Sequence, residues 1–355
     1  MLFAIACTCK NSFKNRRMSS NETMTHGTPS KKFKAAWWLP GGHSQTLWRR
    51  LSPPAGIAHH RQRLELNDGD FIDIDWAAGS GYEEHASETI VVILHGLCGC
   101  SSSPYVIALQ ALLANNNISS LAMNFRGCSG EMNRLARAYH SGVSEDLDAV
   151  FSKLIELHPQ RNFVFVGYSL GANVLLKWLG EMQSHPRVKK AVAVSTPFSL
   201  SNCSRAMLQG VSKFYGKYFV RRLLADVAAK QKHFEEIGDN AELQKIASLG
   251  EFRSISSIWE FDDKITAPLH GFLDAEDYYE RCSSIGFIDS IQTDTLLIQS
   301  SNDPMIPAAS LPAKSSLNHN IDFQLSTKGG HVGFISGEPR NWLEHKILDF
   351  VLAGC

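Results

Sequence analysis

Residues 162–176, Asn-Phe-Val-Phe-Val-Gly-Tyr-Ser-Leu-Gly-Ala-Asn-Val-Leu-Leu, limit the possible folds of this chain more than any other stretch. The apolar, β-branched run from Phe163 to Val166 predicts a strand. It stops at Gly167-x-Ser169-x-Gly171, and a helix-forming stretch begins at once. Strand, tight turn and helix in that order are the context in which G-x-S-x-G becomes a nucleophile elbow. The serine then stands on a strained turn at the top of a sheet, and the glycines answer a bend too sharp for flanking side chains. The pentapeptide alone arises by chance in chains of this length, so the assignment rests on partners elsewhere.

The remaining chain predicts a sheet beneath that turn. Arg61–Leu66 and Phe71–Trp76 alternate apolar and polar residues around Asn67-Asp68-Gly69-Asp70, the pattern of a β-hairpin. Thr89–Leu94 is continuously apolar and suits a strand buried on both faces. Helices are then expected over Pro104–Asn115, Val143–Leu157 and Leu170–Met182, and strands over Ile118–Asn124, Phe163–Gly167 and Val188–Ser195. Strands Thr295–Gln299 and Ile321–Leu325 and a closing helix, Arg340–Ala353, follow later. Such alternation predicts an α/β fold: a mostly parallel central sheet flanked by helices on both faces. The interval 197–290 breaks the rhythm, with helical composition at Leu223–Lys232 and Ala241–Ser248 and no strand pattern. It is expected to form a helical cap over the carboxyl ends of the strands. Residues 1–34 are polar and aperiodic and read as a disordered leader. The domain proper is then 35–355.

A serine hydroxyl needs a base within reach, and the base needs an orienting acid. In chain order Ser, Asp, His, the sequence offers both after strands. Asp303 follows Thr295–Gln299, in Ser300-Ser-Asn-Asp-Pro304, and His331 follows Ile321–Leu325, in Lys328-Gly-Gly-His-Val-Gly333. Asp294 precedes its strand, His319 precedes the last strand and His345 lies inside the last helix, so none fits as well. Two backbone amides complete an oxyanion hole. One belongs to Leu170, after the serine, and the other to Leu97, in His95-Gly-Leu-Cys-Gly99 after the third strand. His140 and Asp146 could be read as an acyltransferase box, but the interval is one residue too long, and a turn with a helix start is favoured. His43, in the polar cluster Gly42-His-Ser-Gln-Thr46, either approaches the site or is a buried structural histidine. The roles of His43 and His140 stay open.

Bulk properties narrow the partners. Lys+Arg and Asp+Glu both number 35, so nothing draws the chain to nucleic acid through net charge. The cysteines lack C-x-x-C spacing and read as reduced thiols of a cytoplasmic protein. No histidine pair has metal-ligand spacing, Gly127–Gly130 lacks dinucleotide spacing, and no cofactor is expected. No stretch approaches the length of a transmembrane segment. Met1–Cys7 is apolar but short, with its basic residues after it, unlike a secretory signal. Met1, Met18 and Met24 are all possible starts.

At this point the chain resembles the YheT-like α/β-hydrolases, relatives of eukaryotic abhydrolase-domain lipases and esterases. The matching segments include His43-Ser-Gln-Thr-Leu47, His95-Gly-Leu-Cys-Gly99, Asn124–Ser129, Tyr139-His-Ser-Gly142, Gly167–Asn173, Phe261–Thr266, Asn302-Asp-Pro304 and Gly329–Phe334. The resemblance implies carboxylester hydrolysis without a cofactor, on short- to medium-chain acyl esters. It puts the nucleophile at Ser169, the acid at Asp303 and the base at His331. Ser44 departs from the leucine expected there, and the absence of an amino-terminal anchor points to the soluble bacterial-type branch. Two other readings keep the fold: acyl transfer or lipase action on a lipid ester by the same residues, and a non-catalytic binding protein.

Overall fold

The computed structural model describes residues 32–78, 88–252, 254–337 and 341–353. Of the expected leader, 1–31 lie outside the described residues. The centre is an eight-stranded sheet in the order β1-β2-β4-β3-β5-β6-β7-β8. Its strands are β1 His59–Glu65, β2 Phe71–Ala77, β3 Thr89–Leu94, β4 Ser119–Met123, β5 Asn162–Tyr168, β6 Val188–Val194, β7 Asp294–Ser300 and β8 Ile321–Ser326. Pairings of β2 with β1 and β4 are antiparallel, and all others are parallel.

The helices are α1 Gly42–Leu51, α2 Pro104–Asn115, α3 Ser144–Leu157, α4 Leu170–Met182, α5 Leu200–Ala206, α6 Lys213–Ile237, α7 Asn240–Ala247, α8 Ile258–Phe261, α9 Ala267–His270, α10 Ala275–Cys282 and α11 Trp342–Leu352. A π turn, Asp262–Thr266, joins α8 to α9. The apolar run of β3 is explained by what covers it, since successive side chains face opposite ways. Ile90, Val92 and Leu94 pack with α3 and α4, whereas Val91 and Ile93 pack with α2 and α11.

The hairpin forms as expected, but β2 is buried along its whole length rather than on one face. Its carboxylates are covered by the edge strand: Arg61 lies opposite Asp75 and Arg63 opposite Asp73. Both arginines bind their partner through two bonds of 2.8 to 2.9 Å. Charged residues in a strand thus need not face solvent when a register-matched partner neutralises them.

Between β6 and β7 the described chain is helical, from α5 to α10, with no strand. Lys230 of α6 ties this insertion to the domain, donating to the carbonyls of Leu135 and Arg137 at 2.9 and 2.7 Å. No helix among the described residues is long and apolar enough to cross a membrane.

Candidate active site

Ser169 sits between β5 and α4 with φ 52° and ψ −118°, a strained backbone for a residue bearing a side chain. The bend demands its glycines. A Cβ on Gly167 would lie 2.6 Å from the Cα of Ala172, and one on Gly171 would lie 2.5 Å from the carbonyl oxygen of His95. Three hydrogen bonds hold the strained residue: its N–H donates to the Val194 carbonyl, and its own carbonyl accepts from Ala172 and Asn173.

The Ser169 hydroxyl oxygen lies 2.8 Å from Nε2 of His331, and Nδ1 of His331 lies 2.8 Å from Oδ2 of Asp303. The second Asp303 oxygen accepts the N–H groups of Met305 and Ile306 at 2.8 and 3.2 Å. A carboxylate offers no proton, so the bond at Nδ1 makes that nitrogen the donor and leaves Nε2 as the acceptor facing the serine.

The His331 loop is seated by α1. Its N–H donates to the Thr46 hydroxyl at 2.8 Å, and the Val332 N–H donates to the Ser195 hydroxyl at 3.0 Å. Gln45, fully buried, accepts the Ile335 N–H and donates to the carbonyls of Leu39 and Ile335. Gly330 has φ 62°, and a side chain there would strike Thr46 and Gln45. Asn302, beside Asp303, accepts the Gly330 N–H at 3.1 Å. Sequence reasoning gave Gln45, Thr46 and Asn302 no role. Gln45 and Thr46 lie in a polar cluster and Asn302 beside the expected acid, all within segments that carry the family resemblance.

The loop after β3 is equally constrained. His95 is buried; its Nδ1–H donates to the Gly96 carbonyl at 2.8 Å, and its Nε2 accepts the Phe125 N–H at 3.2 Å. Burial lowers its pKa to about 4, so the ring is neutral. The Gly96 N–H donates to the Tyr105 hydroxyl and the Cys98 N–H to the Tyr139 hydroxyl, both at 2.9 Å. The amide between them, that of Leu97, has no partner among the described residues, nor does that of Leu170. Both residues line the cavity at Ser169.

Residues 89–338 match the family model described as alpha/beta hydrolase fold. YheT of Escherichia coli (strain K12), a candidate esterase, is 37% identical over 313 residues, which are 87% of this chain and 89% of that protein. The chain belongs to the YheT-like α/β-hydrolases. Human phospholipase ABHD3 is 25% identical over 84% of this hydrolase and 73% of its own length. Monoacylglycerol lipase of Saccharomyces cerevisiae is 27% identical over 75% of this chain and 59% of its own. Among solved structures, the Pyrococcus furiosus esterase Pf2001 superposes with a TM-score of 0.54 at 16% identity, covering 84% of this chain and 95% of that one. The family is one of esterase- and lipase-type ester hydrolases.

In this hydrolase the cavity at Ser169 is small, about 80 Å³, and mainly apolar, walled by Leu97, Leu200, Met207, Phe219, Ile258 and Met305. One carboxyl group also lines it. Asp262, in the π turn, accepts from the Tyr279 and Thr266 hydroxyls at 2.7 Å, and burial raises its pKa to about 6.

The other candidates lie elsewhere. Asp146 is held by two bonds from Arg126, at 2.8 and 2.7 Å. His140 accepts the Gly142 N–H, and its ring stands 4.6 Å from that of His270. It lines a separate polar cavity of about 510 Å³ with Arg137, Lys177 and Arg281. His140 and Asp146 therefore have separate partners and form no box. His43 is partly buried, stacks on Tyr215 and bonds its hydroxyl at 3.1 Å. His319 and Asp294 are exposed, and His345 bonds its own helix at Asn341. Among the described residues no group of three His, Cys, Asp or Glu side chains could hold a metal ion.

Proposed function

We propose that this chain is a serine carboxylesterase that cleaves short- to medium-chain acyl esters. The observation that carries the reading is the unbroken hydrogen-bond chain from Asp303 through His331 to Ser169. His331 Nε2 takes the hydroxyl proton as Ser169 Oγ attacks the ester carbonyl, and Asp303 stabilises the imidazolium that forms. The free amides of Leu97 and Leu170 donate to the oxyanion of the tetrahedral intermediate. The imidazolium returns its proton to the leaving alcohol, and an acyl-Ser169 ester remains. Water, deprotonated by the same histidine, then releases the acid and regenerates the serine.

The small apolar cavity favours a short acyl group over a bulky one, since sites for larger ligands run to several hundred Å³. The ordered chain at Ser169 supports chemistry over passive binding. Hydrolysis and acyl transfer share every step up to the acyl-enzyme, so the acceptor alone separates them. An ester panel graded by acyl length, run on the wild type and on Ser169→Ala, tests the reading. The expected result is turnover falling with chain length and a loss of roughly 10⁴-fold or more in kcat for the variant. Equal turnover by Ser169→Ala, or no labelling of Ser169 by a fluorophosphonate, overturns it. Product analysis with an added alcohol distinguishes transfer from hydrolysis.

A further inference from the structure

The chain has no formal net charge, yet its charges are unevenly spread. No acidic residue occurs between Glu22 and Glu65, and none between Glu181 and Asp226. The fold joins parts of these two acid-free stretches, α1 and the start of α6. Arg50 donates to the Tyr218 hydroxyl at 2.9 Å and lies over its ring, and His43 stacks on Tyr215.

The surface made there is apolar, aromatic and basic. Trp37 is 88% exposed, Leu51 61%, Val211 56% and Phe214 53%, and Trp38 and Trp48 meet edge to face with ring centroids 4.7 Å apart. Trp48 and Leu51 share one face of α1. Along the exposed face of α6, Phe214, Lys217 and Arg221 succeed one another at helical spacing. Arg50, Lys213, Lys217 and Arg221 are exposed, and none forms an ion pair among the described residues.

Contiguous apolar patches on soluble surfaces mark interaction sites, and tryptophan mixed with lysine and arginine suits the headgroup layer of a bilayer. Charge discriminates among occupants. Two-fold pairing of this surface with the same surface of a second copy would set cation against cation. Residues 1–31 would do the same, with Lys10, Lys14, Arg16, Arg17 and Lys31 against Glu22 alone. An anionic partner with an apolar interior satisfies both halves of the surface.

We propose that α1 and the first turns of α6 form a docking surface for an anionic lipid bilayer. The surface adjoins the active-site cavity: Tyr215 and Phe219 of α6 pack on Met305 and Ile306, which line the cavity at Ser169. Docking stands on these observations alone. That the docked enzyme draws its acyl ester from the bilayer rests on the esterase reading.

Cosedimentation of the full chain with vesicles tests the proposal, using phosphatidylcholine with and without about 30% phosphatidylglycerol. The expected result is binding to the anionic vesicles that weakens as salt rises to about 0.5 M, and that Ser169→Ala retains. Lys213→Gln with Lys217→Gln should weaken it roughly 25-fold, at about fivefold for each charge. Trp48→Ser with Phe214→Ser should weaken it at least about tenfold. Both pairs should keep wild-type turnover of a water-soluble ester, which shows that they fold. Intact soluble-ester turnover with no vesicle binding overturns the docking surface. So does a dimer that the Trp48 and Phe214 changes dissolve. Vesicle binding without turnover of any ester supports docking and overturns only the esterase reading.

Discussion

At the scale of single residues, the proposed site depends on groups that do not line its cavity. Thr46 is the sharpest case, because its hydroxyl both donates to the Gly42 carbonyl and accepts the His331 N–H. Thr46→Val keeps the shape and removes the acceptor, leaving the His331 amide unsatisfied at a cost of about 1–3 kcal/mol. The expected outcome is a lower kcat with little change in KM, measured on a soluble ester, since the loop and not the cavity wall is disturbed. Tyr105 and Tyr139 act similarly on the loop after β3. They occupy the amides on either side of Leu97, so the loop presents one free donor in a fixed direction. Tyr139→Phe frees the Cys98 amide to compete with Leu97, and a fall in kcat of about tenfold is expected from steady-state kinetics. Neither tyrosine was legible as a site residue, because tyrosines 9 and 41 positions from the amides they serve follow no catalytic motif.

At the scale of elements, α1 was the helix that sequence patterning overlooked. Its buried residues are Gln45, Thr46 and Arg49, while Leu47, Trp48 and Leu51 are exposed. That is an amphipathic helix turned inside out, so an apolar-periodicity rule reads it as a polar cluster. The inversion is stable because each buried polar side chain makes at least one bond: Gln45 to the backbone of the His331 loop, Thr46 to the Gly42 carbonyl and the His331 N–H, and Arg49 to Glu344 of α11. The π turn at Asp262–Thr266 was equally invisible, and its Asp262 is held by Tyr279 from α10, a contact no local pattern announces. It also makes a prediction. Because the folded-state pKa of Asp262 is raised to about 6, the native state holds a proton that the unfolded state loses near pH 4. Its contribution to stability is therefore present below pH 4 and is lost as pH rises to about 6. Asp262→Asn should raise Tm at pH 7.5 and leave it unchanged at pH 4, by calorimetry. A hydroxyl accepts as well as donates, so the amide keeps both neighbours.

At the scale of the whole molecule, buried neutral histidines set the opposite trend. Burial lowers the pKa of His95 to about 4, and those of His140 and His270 also fall below the usual 6.5. Each binds fewer protons folded than unfolded in that window, so its contribution is complete above pH 6.5 and is lost as pH falls toward 4. Urea midpoints should therefore drop between pH 6.5 and 4. An Asp262→Asn variant, freed of the opposing carboxyl, should show a steeper drop. The sequence by itself determined the layered sheet, because β-strand and helix periodicities are local and alternate along the chain. It also determined the order Ser169, Asp303, His331, since each falls just past the carboxyl end of a strand. Only the tertiary structure decided that these three stand within hydrogen-bond distance, that α1 seats the histidine loop, and that two acid-free stretches meet on one face. The contacts of His331 with Ser169 and Thr46, and of Arg50 with Tyr218, join residues 162, 285 and 168 positions apart, whose meeting is set by how helices pack on the sheet.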